Sequence, residues 1–203
     1  MKSSKLLALA VGLSLIGLMG LLVVGGLAFS SFSSASGFIN MGNMMNGNGP
    51  VINGSDVTSL QQKATTGVID KTKNSITFTQ NIINLVALAA PPTHKGMYFE
   101  IDSLINPTLI VKTGTQINLT LINEDNVMHG FEIVDVKPPF SANPMMDYAS
   151  LFNSFVMPIR GTNSTNYYSS NTTITVSTTG SYSYICPVPT HAEEGMYGTI
   201  IVS

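Results

Sequence analysis

From Gln116 to Leu121 the side chains alternate, with Ile117, Leu119 and Leu121 on one side and Gln116, Asn118 and Thr120 on the other. A period of two is the signature of a strand with one buried face, and no helix satisfies it. Thr173 to Ser177 repeats the pattern. Further strand-like runs are Ser75–Thr79, Ile82–Ala89, Tyr98–Ile101, Leu109–Val111, Phe131–Val134, Tyr182–Ile185 and Thr199–Val202. Turn signals separate them at Pro91-Pro92, Asn106-Pro107, Thr113-Gly114, Pro138-Pro139 and Thr179-Gly180. Many short strands at this spacing predict an all-β fold, a sandwich or a barrel. Between Pro138 and Ser170 the alternation fails, and a long excursion with a helical turn near Met146–Phe155 is expected. A short helix is expected between Ser55 and Gly67, with Ser55 or Asp56 as N-cap and Gly67 as the stop. The compact part is then expected from about Ile76 to Ser203.

The amino terminus has a different character. Leu6 to Phe29 is a run of 24 residues without a charged side chain. About 20 apolar residues span a bilayer, whereas a signal-peptide core has about 7–15. Lys2 and Lys5 precede the run and no charge follows until Asp56. The positive-inside rule then places the short N-terminus in the cytoplasm and the rest outside. The expectation is a single-pass anchor at 1–29 that holds the protein at the cell membrane. If the run is instead a signal peptide cleaved near Ala28–Ser30 or Ala35–Gly37, the product is secreted or periplasmic. Residues 30–54, rich in Ser, Gly, Asn and Met, lack any period and read as a flexible tether to a domain at 55–203. Met41, Met44 and Met45 could hold Cu(I) through thioethers, although such a composition more often makes a plain linker. Four N-x-[ST] sequons, at Asn53, Asn118, Asn163 and Asn171, all fall on the outward side.

Composition removes several classes. Only 10% of the 203 residues are charged and the net charge is -2, so a basic nucleic-acid surface is excluded. One cysteine, Cys186, excludes an internal disulfide. Three histidines leave little material for a multinuclear metal centre.

One segment concentrates chemistry. Cys186-Pro-Val-Pro-Thr-His191-Ala-Glu-Glu-Gly-Met196 places thiolate, imidazole and thioether at Cys-x4-His-x4-Met, between two predicted strands. A loop leaving a sheet edge can curl three such donors around one ion. A second imidazole is available at His129, at the turn before Phe131–Val134. Two imidazoles and a thiolate in a plane with a weak axial thioether describe a blue-copper site. Each residue alone has an ordinary reading: buried small hydrophobe for Cys186, surface side chain for His191, core filler for Met196. Their joint spacing outweighs those readings. His94, after Pro-Pro-Thr in a turn, reads as a solvated loop residue.

The segment GSYSYICPVPTHAEEGMYGTIIV resembles the carboxyl-terminal strand-loop-strand of cupredoxins, and its four-and-four spacing is similar to that of the rusticyanins and the related sulfocyanins. MYFEIDSLINPTLIVKTGTQINLTLIN and HGFEIVDVKPPF extend the resemblance upstream, so that it covers roughly Asp56 to Ser203. The resemblance implies a Greek-key β-sandwich holding one type 1 copper, with His129, Cys186 and His191 equatorial and Met196 axial. It also implies a monomeric, non-enzymatic electron carrier of an acidophile, outside the membrane, in iron or sulfur-compound respiration. Its partners would be a redox donor and acceptor such as a cytochrome or a terminal oxidase. Gly130 departs from the pattern, since rusticyanins carry Ser after the first histidine.

Other functions remain to be set against this one. A copper oxidase or nitrite reductase needs His-x-His pairs, which the chain lacks, and a binuclear copper centre needs a second Cys. A copper-delivery protein using the Met cluster is the main alternative, and a zinc-stabilised adhesive domain is a third.

Overall fold

The computed structural model describes residues 49–203 apart from 163. The expected membrane anchor, nearly all of the tether and the Met41, Met44 and Met45 cluster lie outside the described residues. Among the described residues no helix is long and apolar enough to cross a membrane.

Two sheets face each other. The six-stranded sheet runs in the order β1 (Val51–Asn53), β11 (Asn166–Thr175), β8 (Gln116–Asn123), β4 (Ile82–Ala89), β5 (Phe99–Ile101) and β6 (Leu104–Ile105). The seven-stranded sheet runs β10 (Val156–Ile159), β9 (His129–Val134), β12 (Gly180–Ile185), β13 (Tyr197–Val202), β7 (Thr108–Val111), β3 (Ser75–Thr77) and β2 (Val68–Asp70). Among the described residues there are also two helices, α1 (Gly54–Lys63) and α2 (Pro144–Asp147). The alternation read in Gln116–Leu121 does what it predicts: Ile117, Leu119 and Leu121 are at most 1% exposed and enter the core between the sheets. Phe99, Phe131 and Tyr184 fill the middle, with Phe131 stacked on Tyr184 at 5.6 Å and 14°.

From Leu85 to Ala89 β4 is buried on both faces, because α1 covers the outer side there. Val57, Val86, Leu88 and Ile122 form a second cluster there, closed by Ile52, Leu60 and Tyr167. The N-cap of α1 is Asn53, in place of the expected Ser55 or Asp56; its side chain accepts from Ser55 and Asp56 N–H while Asp56 reaches back to the Asn53 N–H. This capping box satisfies two N-terminal donors at once. The helix stops at Lys63, before the expected Gly67. Gly67 is instead required by packing, since a Cβ there would lie 2.4 Å from Ile76 Cγ2.

The structure differs from the sequence expectation in three further places. The sheet begins before Ile76 and takes in the end of the tether, for Val51–Asn53 pair with Asn166–Tyr168. The stretch from Pro138 to Ser170 is not all excursion: its helical turn is Pro144–Asp147, and it contains β10 and the first half of β11. β10 carries Pro158, which cannot donate to β9, and the pairing breaks register between Val156 and Ile159. Proline is tolerated at a bulged edge strand and masks the strand pattern in sequence. Among the sequons, Asn53 caps α1, Asn118 donates to Asn84 Oδ1 at 3.0 Å, and Asn171 Oδ1 accepts from Thr120; Asn163 lies outside the described residues.

Candidate metal centre

β9 and β12 are neighbours in the seven-stranded sheet, and β12 runs straight into the loop that returns as β13. His129 opens β9 and Cys186 follows the last residue of β12, so both are fixed by core strands. His191 and Met196 belong to the loop. That loop is closed by its own backbone: Met196 N–H donates to His191 O at 2.8 Å, and Cys186 N–H to Met196 O at 3.1 Å. Gly195 takes φ +112° to make the last bend.

Three of the four residues expected from sequence bring their donor atoms together, and Met196 is joined to two of them, His191 and Cys186, through the loop backbone. Cys186 Sγ lies 3.5 Å from His191 Nδ1 and 3.8 Å from His129 Nδ1. The donor atoms of these three residues all lie within 4.8 Å of one another. Met196, Cys186 and His129 are 0% exposed and His191 8%. His94, by contrast, is exposed and edges onto Tyr98, as a loop residue.

The electrostatics suit a soft or borderline cation. Burial lowers the proton affinity of both imidazoles, opposed at His129 by the hydrogen bond its ring donates to Asp125 and at His191 by the charges of Glu194 and Asp125. Neutral rings leave a nitrogen lone pair for a metal. Burial also pushes the Cys186 thiol up to about 11, against the pull of the Gly130 and Val188 N–H groups. A thiol that resists ionisation alone would release its proton to solvent when a metal cation took its place on the sulfur. The cluster contains no carboxylate, and two imidazoles with a thiolate and a nearby thioether match copper better than a hard ion.

Two residues of the surroundings were not singled out from sequence. Asp125 Oδ2 lies 3.0 Å from His129 Nε2. Asn106, in the connection between β6 and β7, reaches the loop at Gly195. Asp125 sits four residues before His129, a spacing without a motif. Of the apolar residues next to the ligands in sequence, Met128 and Pro189 are exposed, Val188 is half-buried and Pro187 is buried against Gly130. Val127, Met145, Phe155 and Met157 are exposed as well.

The chain has relatives among known proteins. The profile of the Sulfocyanin (SoxE) domain matches residues 71–203. The chain belongs to the sulfocyanin family. Its curated relatives include rusticyanin of Acidithiobacillus ferridurans, 31% identical over 131 residues, which is 64% of this chain and 67% of that protein. A rusticyanin of Acidithiobacillus ferrooxidans is 30% identical over 131 residues, 64% of this chain and 81% of its own. Among solved structures, reduced rusticyanin superposes with TM-score 0.67 at 25% identity, covering 76% of this chain and 99% of that one. The rusticyanin of Thiobacillus ferrooxidans gives 0.65 at 26% identity, covering 76% and 96%. The sulfocyanin-family domain is thus a rusticyanin-like cupredoxin, as the loop spacing led one to expect.

Proposed function

We propose that this protein is an electron carrier using one type 1 copper ion, with His129, Cys186 and His191 as equatorial ligands and Met196 as axial ligand. The observation that carries the reading is the convergence of two imidazole Nδ1 atoms on one buried thiol. Copper held there would take up and release one electron at a time. The chain's part is to keep the donors in place through both states, and strands β9 and β12 do so. Four protein donors leave no position for a substrate, which favours a carrier over an enzyme.

Copper delivery is less well supported, because a donor must hand its ion to another protein and these ligands are 0–8% exposed. We place the copper domain outside the cytoplasmic membrane, held by residues 1–29 through the Ser/Gly/Asn/Met-rich tether, and the uncharged run from Leu6 to Phe29 supports this. Work in acid, in iron or sulfur-compound oxidation with a cytochrome or terminal oxidase as partner, fits the shortage of ionisable side chains; only 11 are Asp or Glu. The exposed Met128, Val127, Phe155 and Met157 offer an apolar docking face beside His129 that acid leaves unchanged.

The deciding experiment is an absorption spectrum of copper-loaded protein. An intense blue band that vanishes in Cys186→Ser, with circular dichroism unchanged, is the expected result; a band that survives the substitution refutes the site. Persistence of the band and the fold near pH 2 would support the acid habitat, and loss of both above about pH 4, where carboxylates titrate, would remove it.

A further inference from the structure

The turn between β8 and β9 is tied down at every step. Asn123, fully buried, donates from Nδ2 to the carbonyls of Val127 at 2.7 Å and Ile159 at 3.1 Å. Its Oδ1 accepts the Asp125 N–H at 3.0 Å. The Thr162 N–H donates to the Asp125 carbonyl at 2.8 Å, and Gly161 lies so close that a Cβ would sit 2.2 Å from the Asn126 carbonyl carbon. All of this holds one side chain. Asp125 Oδ1 accepts the Asn126 N–H at 2.6 Å, and Oδ2 is left facing His129 Nε2 at 3.0 Å. The His129 ring is 0% exposed and the Asp125 side chain 25%.

A neutral imidazole carries its proton on one nitrogen only. His129 Nδ1 faces Cys186 Sγ in the donor cluster, so the proton belongs on Nε2, where Asp125 accepts it. His191 has no such partner: among the described residues its ring makes no side-chain hydrogen bond except toward Cys186. The two imidazoles are therefore held differently, one by a carboxylate and one by the loop alone.

We infer that Asp125 is a positioning residue of the metal centre: its carboxylate fixes the His129 ring with Nδ1 toward the other donors, and its charge, relayed through the ring, favours the more oxidised ion. A carboxylate behind a ligating histidine raises the basicity of the ring and locks its tautomer. The inference rests on the copper reading of the site. It separates two contributions, the hydrogen bond and the charge, which two substitutions divide. Asp125→Asn keeps an acceptor oxygen and removes the charge. Asp125→Ala removes both.

The test uses nitrogen-15 NMR of the histidine rings in copper-free protein, then copper affinity and reduction potential of the loaded protein. Wild type and Asp125→Asn should show a single His129 tautomer protonated at Nε2. Asp125→Asn should keep the blue band and bind copper within a few-fold of wild type, but at a higher reduction potential. Asp125→Ala should show mixed tautomers and lose about 10–100-fold in copper affinity. Equal potentials in wild type and Asp125→Asn overturn the charge relay. Wild-type tautomer and affinity in Asp125→Ala overturn the positioning role. If Asp125→Ala fails to fold by circular dichroism, the Asn variant still decides through its potential. If wild-type protein takes up no copper, the reading of the site fails, while the tautomer in copper-free protein still decides where Asp125 acts.

Discussion

The side-chain amide of Asn106 donates to the carbonyl of Gly195 at 2.9 Å, across a separation of 89 residues. Its Oδ1 accepts the Phe99 N–H at 2.9 Å, so one side chain joins the six-stranded sheet to the last bend before Met196. Asn106→Ala leaves the Phe99 N–H buried without a partner, a loss of about 1–3 kcal/mol. The denaturation midpoint should fall accordingly. Electron paramagnetic resonance of the copper-loaded variant should also change, since Met196 is less firmly placed. Wild-type stability together with a wild-type spectrum would refute the tie.

Met196→Leu should leave copper bound and raise the reduction potential. A thioether donates weakly to the ion, and donation favours the more electron-demanding oxidised state. Leucine fills the same 0% exposed space with little change in volume, so the fold should survive. Voltammetry measures the effect, and an unchanged or lower potential counts against an axial role.

Glu132 is 2% exposed, its Oε1 has no partner, and burial pushes its carboxyl up from 4.5 to about 7. The folded state therefore holds this proton more tightly than the unfolded state. That contribution to stability is complete below about pH 4.5 and is lost as pH rises through about 7. Glu132→Gln has the same shape and cannot ionise. Copper-free wild type and variant should be alike near pH 4, while the variant should be more stable near pH 8 by roughly 1–3 kcal/mol. Denaturant melts at both values check this, and a difference independent of pH would count against it.

Gly130 stands where rusticyanins carry Ser, and the surroundings explain the choice here. A Cβ would lie 2.7 Å from the Val156 carbonyl and 2.9 Å from Pro187 Cγ. The first contact is backbone, so β10 itself must move. Gly130→Ser should cost about 1–3 kcal/mol, the usual penalty for overpacking. A stability equal to that of wild type would show that β10 yields freely.

The centre was legible because three of its residues lie within one short segment, Cys186 to Met196, and His129 adjoins a recognisable strand. The sandwich was legible where one face is buried, as in Gln116–Asn123. Legibility failed where partners, not propensity, make the strand. Val51–Asn53 is three residues paired to β11, and Val156–Ile159 hides behind Pro158. Asn106 and Asp125 were missed for a related reason: each reaches the site from a turn that leaves no period in the sequence. The helix cap moved by two residues because Asn53 and Asp56 form a reciprocal pair.

Phe131, two residues after His129, is stacked on Tyr184, two residues before Cys186, and Phe99 packs against both at 5.5 and 5.8 Å. The Tyr184 hydroxyl donates to the Pro107 carbonyl at 2.6 Å, and its ring lies so close over Gly198 that a Cβ there would fall 2.2 Å away. Strands fastened this way are among the last to open in a folded domain, so their amides should exchange with solvent only at the rate of global unfolding. Two ligands ride on those strands. An ion held there would leave either through the His191 face or with the opening of the whole fold, and only with the first route closed would its residence time become a clock for the lifetime of the native state.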